Sequence, residues 1–146
     1  MASVFLDTSA LLRRYFTAEP GANRVRILCE PSQGHTIAVS RLAALELASG
    51  LGRRVRERTL PERERRRRWD TFVIDLRDQY RVVQITEAVY ATAQRLVSAY
   101  PLRTLDAIQL ASALVVRERL RDLVFWTADD QQATAARREG LAVEHM

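Results

Sequence analysis

Residues 3–11 read SVFLDTSAL, and this stretch predicts the fold of the chain. Its apolar residues Val4, Phe5 and Leu6 lead directly into Asp7, as expected of a strand buried in a parallel sheet. The hydroxyl residues after Asp7 favour the start of a helix. Asp7 is therefore predicted at the carboxyl end of the first strand, where open parallel sheets bind their ligands. A purely structural role, as the cap of the following helix, is the alternative.

The same alternation of apolar runs and helical spacing continues along the chain. Further strands are predicted at residues 35–39, 81–85, 123–127 and 141–143. Helices are predicted at residues 9–16, 21–29, 41–49, 60–78, 87–99, 104–115 and 131–139. Ser40 and Thr104 are predicted N-caps; the third helix should end at Gly50 or Gly52. This order predicts a three-layer α/β/α fold, in which a mostly parallel sheet of four to five strands lies within one domain, residues 1–146.

The charge of the chain indicates a polyanionic partner. The net charge is +5, and all 23 basic residues are arginine, so lysine is absent. That absence argues against P-loop nucleotide binders, phosphoacceptor signalling domains and haloacid-dehalogenase-like phosphatases, which need a lysine. Nine arginines fall within residues 53–68. They are interpreted either as a solvated helical face or as a surface that contacts phosphates or a protein partner.

Cysteine usage and hydropathy indicate a cytoplasmic protein. Cys29 is the single cysteine, so no disulfide can form within the chain. No apolar run approaches the length of a membrane span, and the first residues do not have the layout of a signal peptide. We therefore expect a cytoplasmic location.

Four acidic residues are candidates for a shared site. Asp7 and Asp129 follow predicted strands, Asp106 lies in the first turn of an apolar helix, and Glu46 shares a helical face with small residues. Helix-dipole stabilisation of Asp106 and solvent exposure of Glu46 are the structural alternatives. If the four converge, their repulsion requires a cation, and all-oxygen ligation suits Mg²⁺ or Mn²⁺. Such an ion can activate water for phosphodiester hydrolysis.

In their order and spacing these motifs resemble the PIN-domain ribonucleases, specifically the VapC-type toxins of bacterial toxin–antitoxin pairs. The resemblance covers essentially the whole chain. The matching motifs are the strand ending in Asp7-Thr8-Ser9, Glu46 after Ser40, Asp106 in LDAIQLA, and Asp129 in Thr127-Ala128-Asp129. Asp130 is a second possibility for the fourth acid, and Asp129 is the better match.

The resemblance implies a Mg²⁺- or Mn²⁺-dependent endoribonuclease, inhibited by a cognate VapB-type antitoxin and assembled as a homodimer. Asp7, Asp106 and Asp129 would bind the metal, and Glu46 would complete the cluster directly or through water. Thr8, Ser9 and Thr127 would support the acids through hydrogen bonds. Three alternatives stay open: DNA as the substrate, an inactive module that binds RNA or antitoxin, and a PIN-type nuclease that is not a toxin.

Overall fold

Five parallel strands form the centre of the structure, a computed structural model that describes residues 2–146. They are β1 (Ser3–Leu6), β2 (Thr36–Ser40), β3 (Tyr80–Val83), β4 (Leu123–Thr127) and β5 (Ala142–His145). The strand order is β3-β2-β1-β4-β5, and every neighbouring pair is parallel. The predicted α/β fold with a parallel sheet is therefore confirmed. Because β1 is the central strand, the residue that follows it lies at the middle of the carboxyl edge.

Helices cover both faces of this sheet. They are α1 (Thr8–Tyr15), α2 (Ala22–Leu28), α3 (Ala43–Arg56), α4 (Glu62–Asp78), α5 (Glu87–Ala99), α6 (Thr104–Val116) and α7 (Asp130–Arg138). Val4 and Leu6 pack with α1 to α4, whereas Phe5 packs with α5 to α7, because successive side chains of a strand point to opposite faces. Among residues 2–146, no helix is long and apolar enough to cross a membrane.

Helix α3 differs from its predicted boundaries. It begins at Ala43 and continues through both Gly50 and Gly52 to Arg56. Each glycine destabilises a helix by about 1 kcal/mol relative to alanine. Burial of one leucine side chain stabilises the fold by more, roughly 1.5–3 kcal/mol. Leu47 and Leu51 are both buried, so packing outweighs the glycines. Ser40 does not cap the helix. It ends β2, and its hydroxyl accepts a hydrogen bond from the Leu42 amide at 3.1 Å.

Thr104 is likewise the first residue of α6 rather than its cap, a position that Arg103 occupies without a side-chain hydrogen bond. Other predicted boundaries agree closely with the structure. Helix α5 spans the predicted residues, β4 does so as well, and Gly140 ends α7 with a φ of 86°. That left-handed conformation favours glycine.

The arginine-rich segment, residues 53–68, runs from the end of α3 into α4. Arg65 pairs with Glu62, and both Arg67 and Arg68 pair with Glu64. Arg54 stacks on Phe16, with 3.7 Å between the guanidinium carbon and the ring centroid. These contacts agree with the interpretation of a helical face whose charge is partly neutralised in place.

Helix α4 is held to the core chiefly by one aromatic side chain. Within Glu62–Asp78, Phe72 is the one fully buried residue, and its ring contacts those of Tyr15, Trp69 and Tyr80. Phe72→Ala should therefore lower the free energy of unfolding by about 3–5 kcal/mol, as cavities of this size do. Urea denaturation measures the difference. Val73→Ala, at an exposed neighbour on the same helix, is the matched control and should change stability by less than about 0.5 kcal/mol.

Candidate active site

Asp7 lies at the middle of the carboxyl edge of the sheet and is completely buried. Its Oδ1 accepts hydrogen bonds from Ser9 Oγ at 2.6 Å and from the Ala10 amide at 2.8 Å. Its Oδ2 accepts from Thr127 Oγ1 at 2.6 Å and from Gln132 Nε2 at 3.0 Å. The bond from Ala10 makes Asp7 the N-cap of α1. The residue therefore fills both roles that its sequence position allows, as a helix cap and as a member of a site.

Burial changes the acidity of this carboxyl group. Loss of hydration raises the pKa of Asp7 to about 6, against the lowering effect of the donated hydrogen bonds, and the negative charge of Asp106 adds to the rise. The pKa of Asp106 is also raised, first by burial and then by repulsion from Asp129, while Arg103 opposes the rise. The site is thus electrostatically unfavourable for these two carboxylates.

Gln132 links two of the predicted acids. Its Nε2 donates to Asp7 and also to Asp106 Oδ1, at 3.2 Å. Asp106 lies in the first turn of α6, half-buried, at the position that its sequence motif predicts. The amide group of Gln132 therefore lies between the two carboxylates.

Asp129 approaches the same cluster from the end of β4. Its carboxylate caps α7 by accepting a hydrogen bond from the backbone N–H of Gln132 at 2.7 Å. Its own backbone N–H donates to Thr127 Oγ1 at 3.0 Å. The neighbouring Asp130 has 91% of its side chain exposed and pairs with His145. Of the two adjacent aspartates, Asp129 is the one that is bonded into the cluster.

Glu46 joins the site from the other side, through a second buried glutamine. Gln109 Nε2 donates to Glu46 Oε1 at 2.9 Å and to Thr8 Oγ1 at 2.7 Å. Glu46 is half-buried, so the alternative of a fully solvated glutamate does not hold. Thr8 contacts Gln109, whereas Ser9 and Thr127 contact Asp7 directly.

Most of these residues line an open cleft of about 850 Å³, whereas the fully buried Asp7 and Thr127 do not. The polar side chains lining it include Glu46, Asp106, Asp129, Gln109 and Gln132, and Arg103 lies on its rim. Oxygen donors of this kind fit a hard divalent cation. Within residues 2–146, however, no three acidic, histidine or cysteine side chains lie close enough to form a ready-made ion site. Metal binding by the four acids stays a prediction.

Gln109 and Gln132 are the site residues that sequence reasoning missed. Both are 2% exposed, and the Oε1 atom of each is buried with no hydrogen-bond partner in the described part of the chain. A signal was present in their spacing, because each lies three residues after a predicted acid, Asp106 or Asp129, on the same helical face. Buried carboxamides with free oxygens are unusual, since buried polar atoms are nearly always paired.

Comparison with known proteins assigns the family. The sequence model of the PIN domain matches residues 4–138, and the chain therefore belongs to the PIN domain family. No curated protein is similar enough in sequence to count as a match.

Solved structures share the fold at low sequence identity. VapBC2 from Rickettsia felis, bound to a DNA fragment from its promoter, has a TM-score of 0.66 and 14% identity over 99% of this chain and 98% of that chain. VapC20 from Mycobacterium tuberculosis, a toxin that cleaves the sarcin-ricin loop, has a TM-score of 0.64 and 19% identity over 90% of this chain and 94% of that chain. VapBC-1 from nontypeable Haemophilus influenzae has a TM-score of 0.62 and 15% identity, over 98% and 97%.

The raised pKa of Asp7 predicts how stability depends on pH. A folded-state pKa of about 6, above the ordinary 3.8, means that ionisation opposes folding, so wild-type stability should fall as pH rises from about 4 through 6. Asp7→Asn removes that cost, and the free oxygen of Gln132 can accept from the new amide. The variant should exceed wild type by about 2 kcal/mol at pH 8 and equal it near pH 4.

Urea denaturation at the two pH values, with EDTA present, measures this difference. Asp70→Asn serves as the control, because Asp70 is an exposed residue of α4 that takes no part in the hydrogen bonds to Asp7. A variant less stable than wild type at pH 8 would contradict the interpretation of Asp7 as a strained, ionised group.

Proposed function

We propose that the protein is a Mg²⁺- or Mn²⁺-dependent endoribonuclease, which acts as the toxin of a VapBC-type toxin–antitoxin pair. The observation that carries this proposal is that Glu46, Asp106 and Asp129, from three separate parts of the chain, line one cleft at the carboxyl edge of the sheet. The buried Asp7 is joined to Asp106 through the side chain of Gln132. Membership of the PIN domain family and the fold shared with VapC20 support it.

The chemistry of the cleft suits hydrolysis of a phosphodiester bond. A bound Mg²⁺ or Mn²⁺ supplies an activated water and stabilises charge on the phosphate. Asp7, Asp106 and Asp129 would hold the ion, and Glu46 would complete the cluster. Ser9 and Thr127 keep the Asp7 carboxylate in one orientation through hydrogen bonds of 2.6 Å each.

RNA is the proposed substrate class. The net charge of +5 favours a polyanion, and exposed Arg103 on the rim of the cleft offers a guanidinium group to a phosphate. VapC20 is a toxin that cleaves the sarcin-ricin loop. That activity, in a protein of the same fold, supports the proposal of RNA as the class of substrate.

An apolar groove beside the cleft supports an antitoxin partner. This groove is lined by Leu12, Leu42, Leu45 and Leu105, with Thr8 and Glu46 shared with the acidic cleft and Arg53 also on its wall. Leu45 is 69% exposed and Leu105 is 48% exposed. A VapB-type segment with apolar side chains could cover this groove and extend into the cleft. Homodimerisation stays a prediction of the family resemblance.

Cleavage of a mixed RNA pool tests the proposed nuclease. Wild type should cut with Mg²⁺ or Mn²⁺ and not with EDTA. Asp7→Asn should lower the rate by more than about a hundredfold, because even residues that merely support metal ligands contribute about ten- to a hundredfold. Product formation on a sequencing gel gives the rate. Equal cutting by both proteins would reveal a contaminant or another site.

A pair of adjacent variants and a DNA substrate extend this experiment. Asp129→Asn and Asp130→Asn form a matched pair of adjacent substitutions, and only the first should abolish cutting. A DNA pool of the same sequence should resist the wild type. Cleavage of DNA alone would change the substrate class, and cleavage of neither would favour a module that only binds RNA or antitoxin.

The antitoxin groove has its own test. Leu45→Asp places a charge on an apolar surface that a partner would bury, so it should weaken antitoxin binding by at least about tenfold. The partner is the protein whose co-expression suppresses RNA cleavage, and surface plasmon resonance measures its affinity. RNA cleavage should stay within about twofold of wild type. Val73→Asp, at an exposed apolar residue of α4, is the control, and equal binding by all three proteins would place the partner elsewhere.

A further inference from the structure

The Asp7 carboxylate has no free acceptor position. An ionised carboxylate offers about four lone-pair sites, two on each oxygen. Ser9 and Ala10 occupy those of Oδ1, and Thr127 and Gln132 occupy those of Oδ2. Any cation that ligates Asp7 must therefore replace one of these four donors.

Three of the four donors are fixed in place by other bonds. The Ala10 amide belongs to the first turn of α1. Ser9 Oγ also accepts from the Ala128 amide at 2.9 Å, and Thr127 Oγ1 also accepts from the Asp129 amide at 3.0 Å. Displacing either hydroxyl would leave a second polar group without its partner, which costs about 1–3 kcal/mol.

The Gln132 carboxamide is the donor that a cation can displace most easily. Its 3.0 Å bond is the longest of the four, and it comes from the end of a side chain with three rotatable bonds. Its Oε1 is buried without a partner, so the group loses no further hydrogen bond at that atom when it turns. Its Nε2 also reaches Asp106, the second acid of the predicted metal set.

We propose that Gln132 occupies the cation site while no ion is bound: its side-chain amide bridges Asp7 and Asp106, and the ion must displace it to bind both. This inference rests on the proposed function, which requires a cation at the acidic cluster. The N–H groups partly offset the repulsion between the two carboxylates while no ion is bound. The amide thereby competes with the cation for the same oxygens.

If the amide competes with the cation, removing the amide should raise the affinity for the cation. A purely structural role would not predict that increase. Gln132→Met keeps the length of the side chain but removes both N–H donors. The cation then no longer breaks a hydrogen bond to a charged group, so it should bind about tenfold more tightly. A residue that merely stabilised the fold would weaken cation binding or leave it unchanged when substituted.

Mn²⁺ binding without RNA tests the proposal. Electron paramagnetic resonance measures free Mn²⁺ during titration of wild type, Gln132→Met and Gln79→Met, each shown by circular dichroism to be folded. Gln79→Met is the matched control. It removes a carboxamide that bonds to Arg14 and to the Cys29 carbonyl, far in the chain from the acids. Its dissociation constant should equal that of wild type.

A second measurement uses the wild type alone and does not depend on the variant's folding. The side-chain amide resonances of Gln132 should shift on addition of Mg²⁺, in proportion to occupancy of the site, while those of Gln79 should not.

The outcomes distinguish failure of the Gln132 proposal from failure of the nuclease proposal. Tighter Mn²⁺ binding by Gln132→Met, with a moving Gln132 resonance, supports the proposal. Equal or weaker binding, or a stationary resonance at saturating Mg²⁺, overturns it and leaves the nuclease proposal standing. Absence of saturable binding in wild type and variant overturns both proposals, because no cation then takes the place of the amide.

Discussion

The arrangement of the cleft depends on one buried side chain, the carboxyl group of Asp7, which lies where the central strand ends. Four donors surround it, and they come from α1, from the end of β4 and from α7. Burial without these donors would make ionisation prohibitively costly, and even with them the pKa rises to about 6. The geometry of the cleft follows, because each donor places a helix or strand end against the same atoms.

Much of this arrangement was predictable from the sequence. The apolar runs at β1 and β4 are short and continuous, and each is followed by an aspartate. This pattern predicts both the parallel sheet and the edge at which Asp7 and Asp129 lie. Helix α5 was predicted with its observed boundaries, and in the structure Thr86 caps it by accepting a hydrogen bond from the Val89 backbone amide. The sequence also allowed a solvated position for Glu46, as is usual for a glutamate on a helix. The contact with Gln109 fixes its orientation towards the site.

What the sequence did not reveal has physical causes as well. Glutamine within a helix ordinarily indicates a surface position, so Gln109 and Gln132 carried no chemical signature like that of an aspartate. Their importance arises from contacts with residues distant in the chain. Helix α3 continued past two glycines because the burial of Leu47 and Leu51 is decided by the tertiary structure, which local propensity does not include.

The order of the strands also has a consequence for synthesis on the ribosome. The central strand is made first, yet one of its two neighbours, β4, follows more than a hundred residues later. Thr127 and Gln132, which hold the Asp7 carboxylate, are 120 and 125 residues away from it along the chain. Such long-range contacts form late in folding. A nascent chain therefore cannot assemble the acidic cluster until α7 has emerged from the ribosome.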